Sequence, residues 1–258
     1  MITIKTDTEI ELMRQSSQMV AKALAEVAKL IKPGVTTLQL DQCAEAFIRD
    51  NGGVPAFLGY GGFPNTLCTS INEVIVHGIP SNTPLREGDI VSVDCGVLLN
   101  GFYGDSAYTF AVGEIDPEVQ RLMTTTKESL FKAIEVVKQG CRVGDIGYTV
   151  QTYCQSKGYS VVREMIGHGV GRSLHEEPEV PNYGKRGSGP LLKKGMVIAI
   201  EPMINLGRKE LVIEKDGWTA RTKDRKHSAH YEHTVAVCEH GADVLSTFEY
   251  IEKALKDN

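Results

Sequence analysis

Apolar residues at Ile10, Met13, Val20, Leu24 and Val27 recur at steps of three, four and seven. That spacing predicts an amphipathic helix, capped by Asp7 or Thr8 and stopped at Lys32-Pro33-Gly34. A second helix follows at once: Thr36, three residues before Gln39, has the form of a capping box, and Leu38–Asp50 runs into Gly52-Gly53. The period then changes, and Leu85–Asp94 (LREGDIVSVD) and Tyr103–Val112 (YGDSAYTFAV) read as strands. After them Asp116-Pro117 places a cap and an N1 proline before a helical stretch ending at Gln139-Gly140, and a fourth helix, Asp145–Ser156, stops at Lys157-Gly158. The chain thus runs through a pair of helices and a group of strands, and then does so again.

The strands of the two halves correspond in detail. LREGDIVSVD aligns with LKKGMVIAIE (Leu192–Glu201) at an offset of 107 residues, 85 to 192 and 94 to 201, so that Asp94 falls on Glu201. Tyr103–Val112 aligns with His230–Glu239, after a longer hairpin in the second half, so that Asp105 falls on Glu232. His77-Gly78-Ile79 matches His168-Gly169-Val170. Three matches in chain order, each superposing like side chains, point to a duplication that formed one domain over residues 1–258 from halves of about 1–113 and 114–258.

Asp94, Asp105, His168, Glu201 and Glu232 are read here as lying at the ends of apolar runs, where an unpaired ionised carboxylate is costly. Four carboxylates and an imidazole suit a pair of divalent ions roughly 3.5–4 Å apart that activate a water between them. The chain reads as a metallohydrolase.

Composition narrows the class. With 258 residues, 41% of them apolar, there is ample core, and a net charge of −5 argues against a protein built mainly to bind nucleic acid. Six cysteines without a CxxC pair, and a start without a basic segment followed by a long apolar run, lead to the expectation of a reducing, cytoplasmic setting. No run of 18 apolar residues is present to span a membrane.

The segments Ser70–Pro80 (SINEVIVHGIP), Val93–Ala107, Gly167–Pro178 (GHGVGRSLHEEP), Ala199–Ile204 and Asp216–Val237 make the chain resemble the type I methionine aminopeptidases almost end to end. The resemblance implies an α/β (α+β) pita-bread fold, with two pseudo-twofold-related halves and antiparallel sheets around a dinuclear centre. It implies removal of the initiator methionine from nascent proteins when the second residue is small, by a metal-bridging hydroxide. Asp94 would chelate one ion, Asp105 and Glu232 would bridge both, and His168 with Glu201 would complete the other shell. Glu201 would also shuttle the proton, His77 would contact the amide nitrogen or second residue, and His175 would hydrogen-bond the carbonyl oxygen. The ions could be cobalt, manganese, iron or zinc; Asn72, Val74 and Ser228 match a site for sodium or potassium seen in relatives. The family suggests a monomer.

A methionine pocket needs apolar and polarizable walls, for which Phe57, Tyr60, Phe63, Cys68, Leu174 and Trp218 are the candidates. Relatives often carry cysteine at Phe57, tyrosine at Phe63 and an aromatic residue at Leu174, so this pocket is expected to differ in shape. Two alternatives stand beside this reading: a pita-bread peptidase acting next to proline, and a catalytically silent relative that binds RNA or ribosomes. Lys193, Lys194, Arg221, Lys223, Arg225 and Lys226 are either a transient ribosome contact or a solvated charged face.

Overall fold

The computed structural model describes residues 2–257. Helix α1, Asp7–Ala28, begins one residue earlier than the expected caps require, because Thr6 is the N-cap. Thr6 Oγ1 accepts the Glu9 amide at 3.3 Å while the Glu9 carboxylate accepts the Thr6 amide at 3.0 Å, a complete capping box. Its inner face carries Met13, Val20, Leu24 and Val27, all fully buried. Helix α2, Thr37–Asp50, has the expected Thr36–Gln39 box. Helix α3, Pro117–Glu135, is capped by Asp116, and helix α4, Val143–Ser156, has Asp145 accepting the Arg142 amide at 2.8 Å. Helix α3 stops short of the expected Gln139-Gly140: beyond it the Val137 amide bonds back to Ile134, and the turn closes at Gly140 with φ of 90°. A fifth helix, α5, Glu249–Asp257, packs on α1 and was not foreseen from the sequence.

The strands Ile90–Leu99 and Phe102–Ala111 form a hairpin closed by Asn100-Gly101, both at positive φ (53° and 78°), which suits the twist of a two-residue turn. Leu67–Ile71 and Val54–Pro55 join Ile90–Leu99 to complete an antiparallel four-stranded sheet. The second half contributes a five-stranded antiparallel sheet, in the order Ala242–Val244, His233–Val237, Val197–Ile200, Gly167–Gly169, Glu176–Val180. Smaller sheets pair Met203–Asn205 with Ser228–His230 and Leu211–Ile213 with Ala220–Thr222.

Register decides what the first hairpin presents. Asp94 pairs with Ala107 and Gly96 with Asp105, so side-chain alternation places Asp94 and Asp105 on one face as diagonal neighbours. The neighbouring Gly104 faces the other way, towards α1, where a Cβ would come within 2.5 Å of the Ser17 nitrogen. One face therefore receives the helix at backbone contact, and the opposite face carries the carboxylates. Both acids lie in mid-strand, which corrects their expected position at strand ends.

Hydrogen bonds stitch Phe102–Ala111 to the second half. Thr234 Oγ1 donates to the Asp105 carbonyl at 2.7 Å, Ser106 Oγ donates to the Glu232 carbonyl at 2.7 Å, and the Glu232 amide donates to the Ala107 carbonyl at 3.0 Å. One apolar core continues from Val20 and Leu24 through Val93, Leu122 and Val150 to Ile198, Val235 and Ile251.

Candidate metal centre

Five elements converge on one cavity of about 550 Å³. Asp94 and Asp105 project from the hairpin, His168 from Gly167–Gly169, Glu201 from the residue after Val197–Ile200, and Glu232 from the residue before His233–Val237. His233 pairs with Ile200, so the two glutamates stand at the same end of adjacent strands. His168 Nε2 lies 3.5 Å from Glu201 Oε1 and 3.8 Å from Asp105 Oδ2. Its Nδ1 is 2.9 Å from the Gly169 carbonyl, which can only accept, so Nδ1 carries the hydrogen and the Nε2 lone pair faces the acids.

Among the described residues no lysine or arginine lines this cavity. Asp94 Oδ1, Asp105 Oδ1 and Glu232 Oε1 are buried without a hydrogen-bond partner. Burial pushes the Asp94 carboxyl up to about 7, and burial together with the neighbouring acids pushes Asp105 and Glu232 well above the usual carboxylate range. Glu201 is raised likewise, by burial and then by Asp94. Burial lowers His168 to about 4, which keeps its imidazole neutral. Four crowded acids, a neutral imidazole and no basic side chain form a donor set suited to divalent cations. One ligand atom each from Asp105, His168 and Glu232 lies within 4.8 Å of the others.

The sequence reading missed a sixth member, His230: Glu201, His230 and Glu232 form a second group with the same spacing. Its signal was present, because His230 and Glu232 are two residues apart in an extended segment and so share a face.

Next to the acids, the cavity wall brings together all the expected apolar residues, Phe57, Tyr60, Phe63, Cys68, Leu174 and Trp218, with His77 and His175. Trp218 arrives from the tip of the hairpin between Leu211–Ile213 and Ala220–Thr222, where Asp216 accepts the amides of Trp218 and Thr219 at 2.8 and 2.9 Å. Its ring meets Phe63 edge-on at 5.3 Å and His77 at 6.5 Å. Phe57 lies over Gly96, where a Cβ would come within 2.6 Å of the Phe57 ring. His77 sits at φ of 59°, a left-handed position uncommon for residues other than glycine, just after the strand Val74–Val76. The Tyr60 hydroxyl is 2.7 Å from His175 Nδ1, and the His175 ring is 4.2 Å from that of His168. Burial lowers the pKa of both His77 and His175, favouring neutral rings.

Asn72 and Ser228 are brought together away from the cavity, the Ser228 amide donating to the Asn72 carbonyl at 2.9 Å, and Val74 begins the adjoining strand. Of the basic residues, Arg221 pairs with Glu214 and Arg225 lies 3.8 Å from Glu73, while Lys193, Lys194, Lys223 and Lys226 are exposed. Among the described residues no helix is long and apolar enough to cross a membrane.

The model of metallopeptidase family M24 matches residues 11–239. The chain belongs to metallopeptidase family M24. Within this M24 family it is 52% identical over 250 residues to a methionine aminopeptidase of Clostridium acetobutylicum, covering 96% of this chain and 100% of the relative. The crystal structure of methionine aminopeptidase from Rickettsia prowazekii superposes with a TM-score of 0.95 at 42% identity, covering 96% of this chain and 100% of that one. The prolidase from Pyrococcus furiosus is more distant, with a TM-score of 0.79 at 26% identity, covering 95% of this chain and 66% of that one. The M24 chain therefore has the pita-bread fold and falls in the methionine aminopeptidase branch, ahead of the proline-directed alternative. It is a metallo-exopeptidase by family, and divalent metal use comes with that membership.

Proposed function

We propose that the chain removes the N-terminal methionine from nascent proteins and peptides whose second residue is small, working in the cytoplasm as a monomer with two divalent ions. The observation that carries this reading is the cluster of acids without a basic partner, set beside an apolar, sulfur-containing pocket. Asp94, Asp105, His168, Glu201 and Glu232 are the residues assigned to the ions, with cobalt, manganese, iron and zinc all compatible with such donors. When bound, the ions supply Lewis acidity that makes a water nucleophilic near neutral pH and an anchor for a free α-amino group.

The chain's own residues do the rest. The methionine side chain enters between Phe57, Phe63, Cys68, Leu174 and Trp218, where its thioether meets aromatic faces and sulfur. Glu201, which lines the cavity and is assigned to the ions, takes the proton from the attacking water and returns it to the leaving amine. A Tyr60 hydroxyl donating to His175 Nδ1 leaves the proton on Nε2, which then donates to the scissile carbonyl oxygen as negative charge develops there. His77 contacts the substrate's amide nitrogen or second residue.

The test is release of free methionine from Met-Ala-Ser and Met-Leu-Ser by metal-stripped enzyme and by enzyme reloaded with manganese or cobalt. Metal-dependent cleavage of the alanine peptide, poor cleavage of the leucine peptide and an inactive Glu201→Gln variant are expected. Absence of release with every metal overturns the reading.

A further inference from the structure

The ligand set assigned above leaves one imidazole of the centre unused. His230 ends the strand Ser228–His230, is 1% exposed, and its Nε2 has no hydrogen-bond partner. That nitrogen faces Glu201 Oε2 at 3.8 Å, while His168 Nε2 faces the other oxygen, Oε1, at 3.5 Å. The carboxylate of Glu201 therefore lies between two imidazoles, and Glu232 is within reach of both.

The backbone around His230 is held firmly. Its amide donates to Thr109 Oγ1 at 3.0 Å, and its carbonyl accepts from the same hydroxyl at 2.7 Å. Pairing of His230 with Met203 fixes the strand from the other side. A histidine so placed is well positioned to hold a fixed direction.

Distance separates two uses of this ring. A hydrogen bond to a carboxylate needs about 2.7–3.2 Å, and 3.8 Å is too long for one. Nitrogen and oxygen donors sit about 2.0–2.2 Å from a first-row divalent ion, so neighbouring donors on one ion are roughly 3–3.5 Å apart. The spacing at His230 is within a few tenths of an ångström of that range, as is the spacing at His168, which is assigned as a ligand.

We propose that His230 is a further metal ligand, its Nε2 binding the divalent ion that Glu201 and Glu232 share. The proposal rests on the dinuclear reading above and adds a second nitrogen to a shell otherwise dominated by oxygen. A second imidazole moves the preference of the site from manganese towards cobalt, iron and zinc, which bind nitrogen more strongly.

The test reconstitutes metal-free protein with two equivalents of cobalt(II) and counts coordinated imidazoles by X-ray absorption at the cobalt edge, with no substrate present. Two imidazoles per pair of ions are expected for the wild type and one each for His168→Gln and His230→Gln. Titration calorimetry is expected to show the cobalt-to-manganese affinity ratio falling tenfold or more in His230→Gln. A single imidazole in the wild type, unchanged by His230→Gln, overturns the assignment while leaving the dinuclear reading in place. The wild-type count does not depend on how the variants fold. Failure of the wild type to bind cobalt overturns the metal-centre reading, and this assignment with it.

Discussion

Asp94 offers a direct measure of what the acid cluster costs the metal-free fold. Its carboxyl is raised from 3.8 to about 7, chiefly by burial, and Oδ1 has no hydrogen-bond partner. At about 1.36 kcal/mol per pKa unit, ionising it in the folded state costs up to about 4 kcal/mol. That figure is an upper end, because Asp94 lines the cavity and is only partly buried. The sign follows from linkage. A folded-state pKa above the unfolded value means that the contribution to stability is complete below about pH 4 and is lost as pH rises towards 7. Asparagine keeps the shape without the charge. Metal-free Asp94→Asn should therefore be more stable than metal-free wild type, by a margin that widens by about 2–3 kcal/mol between pH 5 and pH 8. Urea unfolding of EDTA-treated proteins at the two pH values measures it. Manganese at a hundredfold excess over Kd adds about 2.7 kcal/mol to the wild type, which keeps its full ligand set, and so should reverse the order at pH 5 and narrow the margin at pH 8. A margin that stays constant or narrows with rising pH refutes the reasoning.

Three further perturbations separate pocket, catalysis and scaffold. His175→Ala should lower kcat about 10²- to 10³-fold with little change in KM in steady-state kinetics, because its bond strengthens as charge develops; a pure KM effect contradicts the role. Phe57→Cys removes the ring over Gly96 and should raise kcat/KM for a phenylalanyl relative to a methionyl peptide about tenfold, with an unchanged ratio counting against Phe57 as a wall of the pocket. Gly104→Ala places a Cβ against the α1 backbone at Ser16 and Ser17 and should cost about 1–3 kcal/mol in thermal unfolding without altering metal stoichiometry; an unshifted Tm argues against the close approach.

Local signals carried much of the fold. Thr36 with Gln39 and Asp116 with Pro117 mark helix starts because capping is settled within four residues, and both are found where expected. Capping also explains the error at α1: Thr6, Asp7 and Thr8 are all able caps, and only the reciprocal bond from Glu9 selects Thr6. Helix α5 is short and at the end of the chain, and its buried residues are only Ile251 and Ala254, too few to give a periodic pattern. Asp94 and Asp105 were legible as chemistry but not as geometry, since their common face depends on a register set by the Asn100-Gly101 turn. His230 was passed over because a single histidine beside a tyrosine and a glutamate reads as strand; its meaning comes from Glu201, which reaches it through the pairing of separate strands.

The stitching of Phe102–Ala111 to Ser228–Val237 has a consequence for biosynthesis. Thr109, Ser106 and Asp105 reach partners more than 120 residues away. Such distant pairing is formed late and slowly, since the intervening chain must close a long loop first. A growing chain that has emerged only through Asp105 holds two of the acids and none of their partners from the second half. The donor set comes together only when the segment around Glu232 has docked, so metal uptake marks completed folding, and a truncated or half-made chain has little means to bind the ions prematurely.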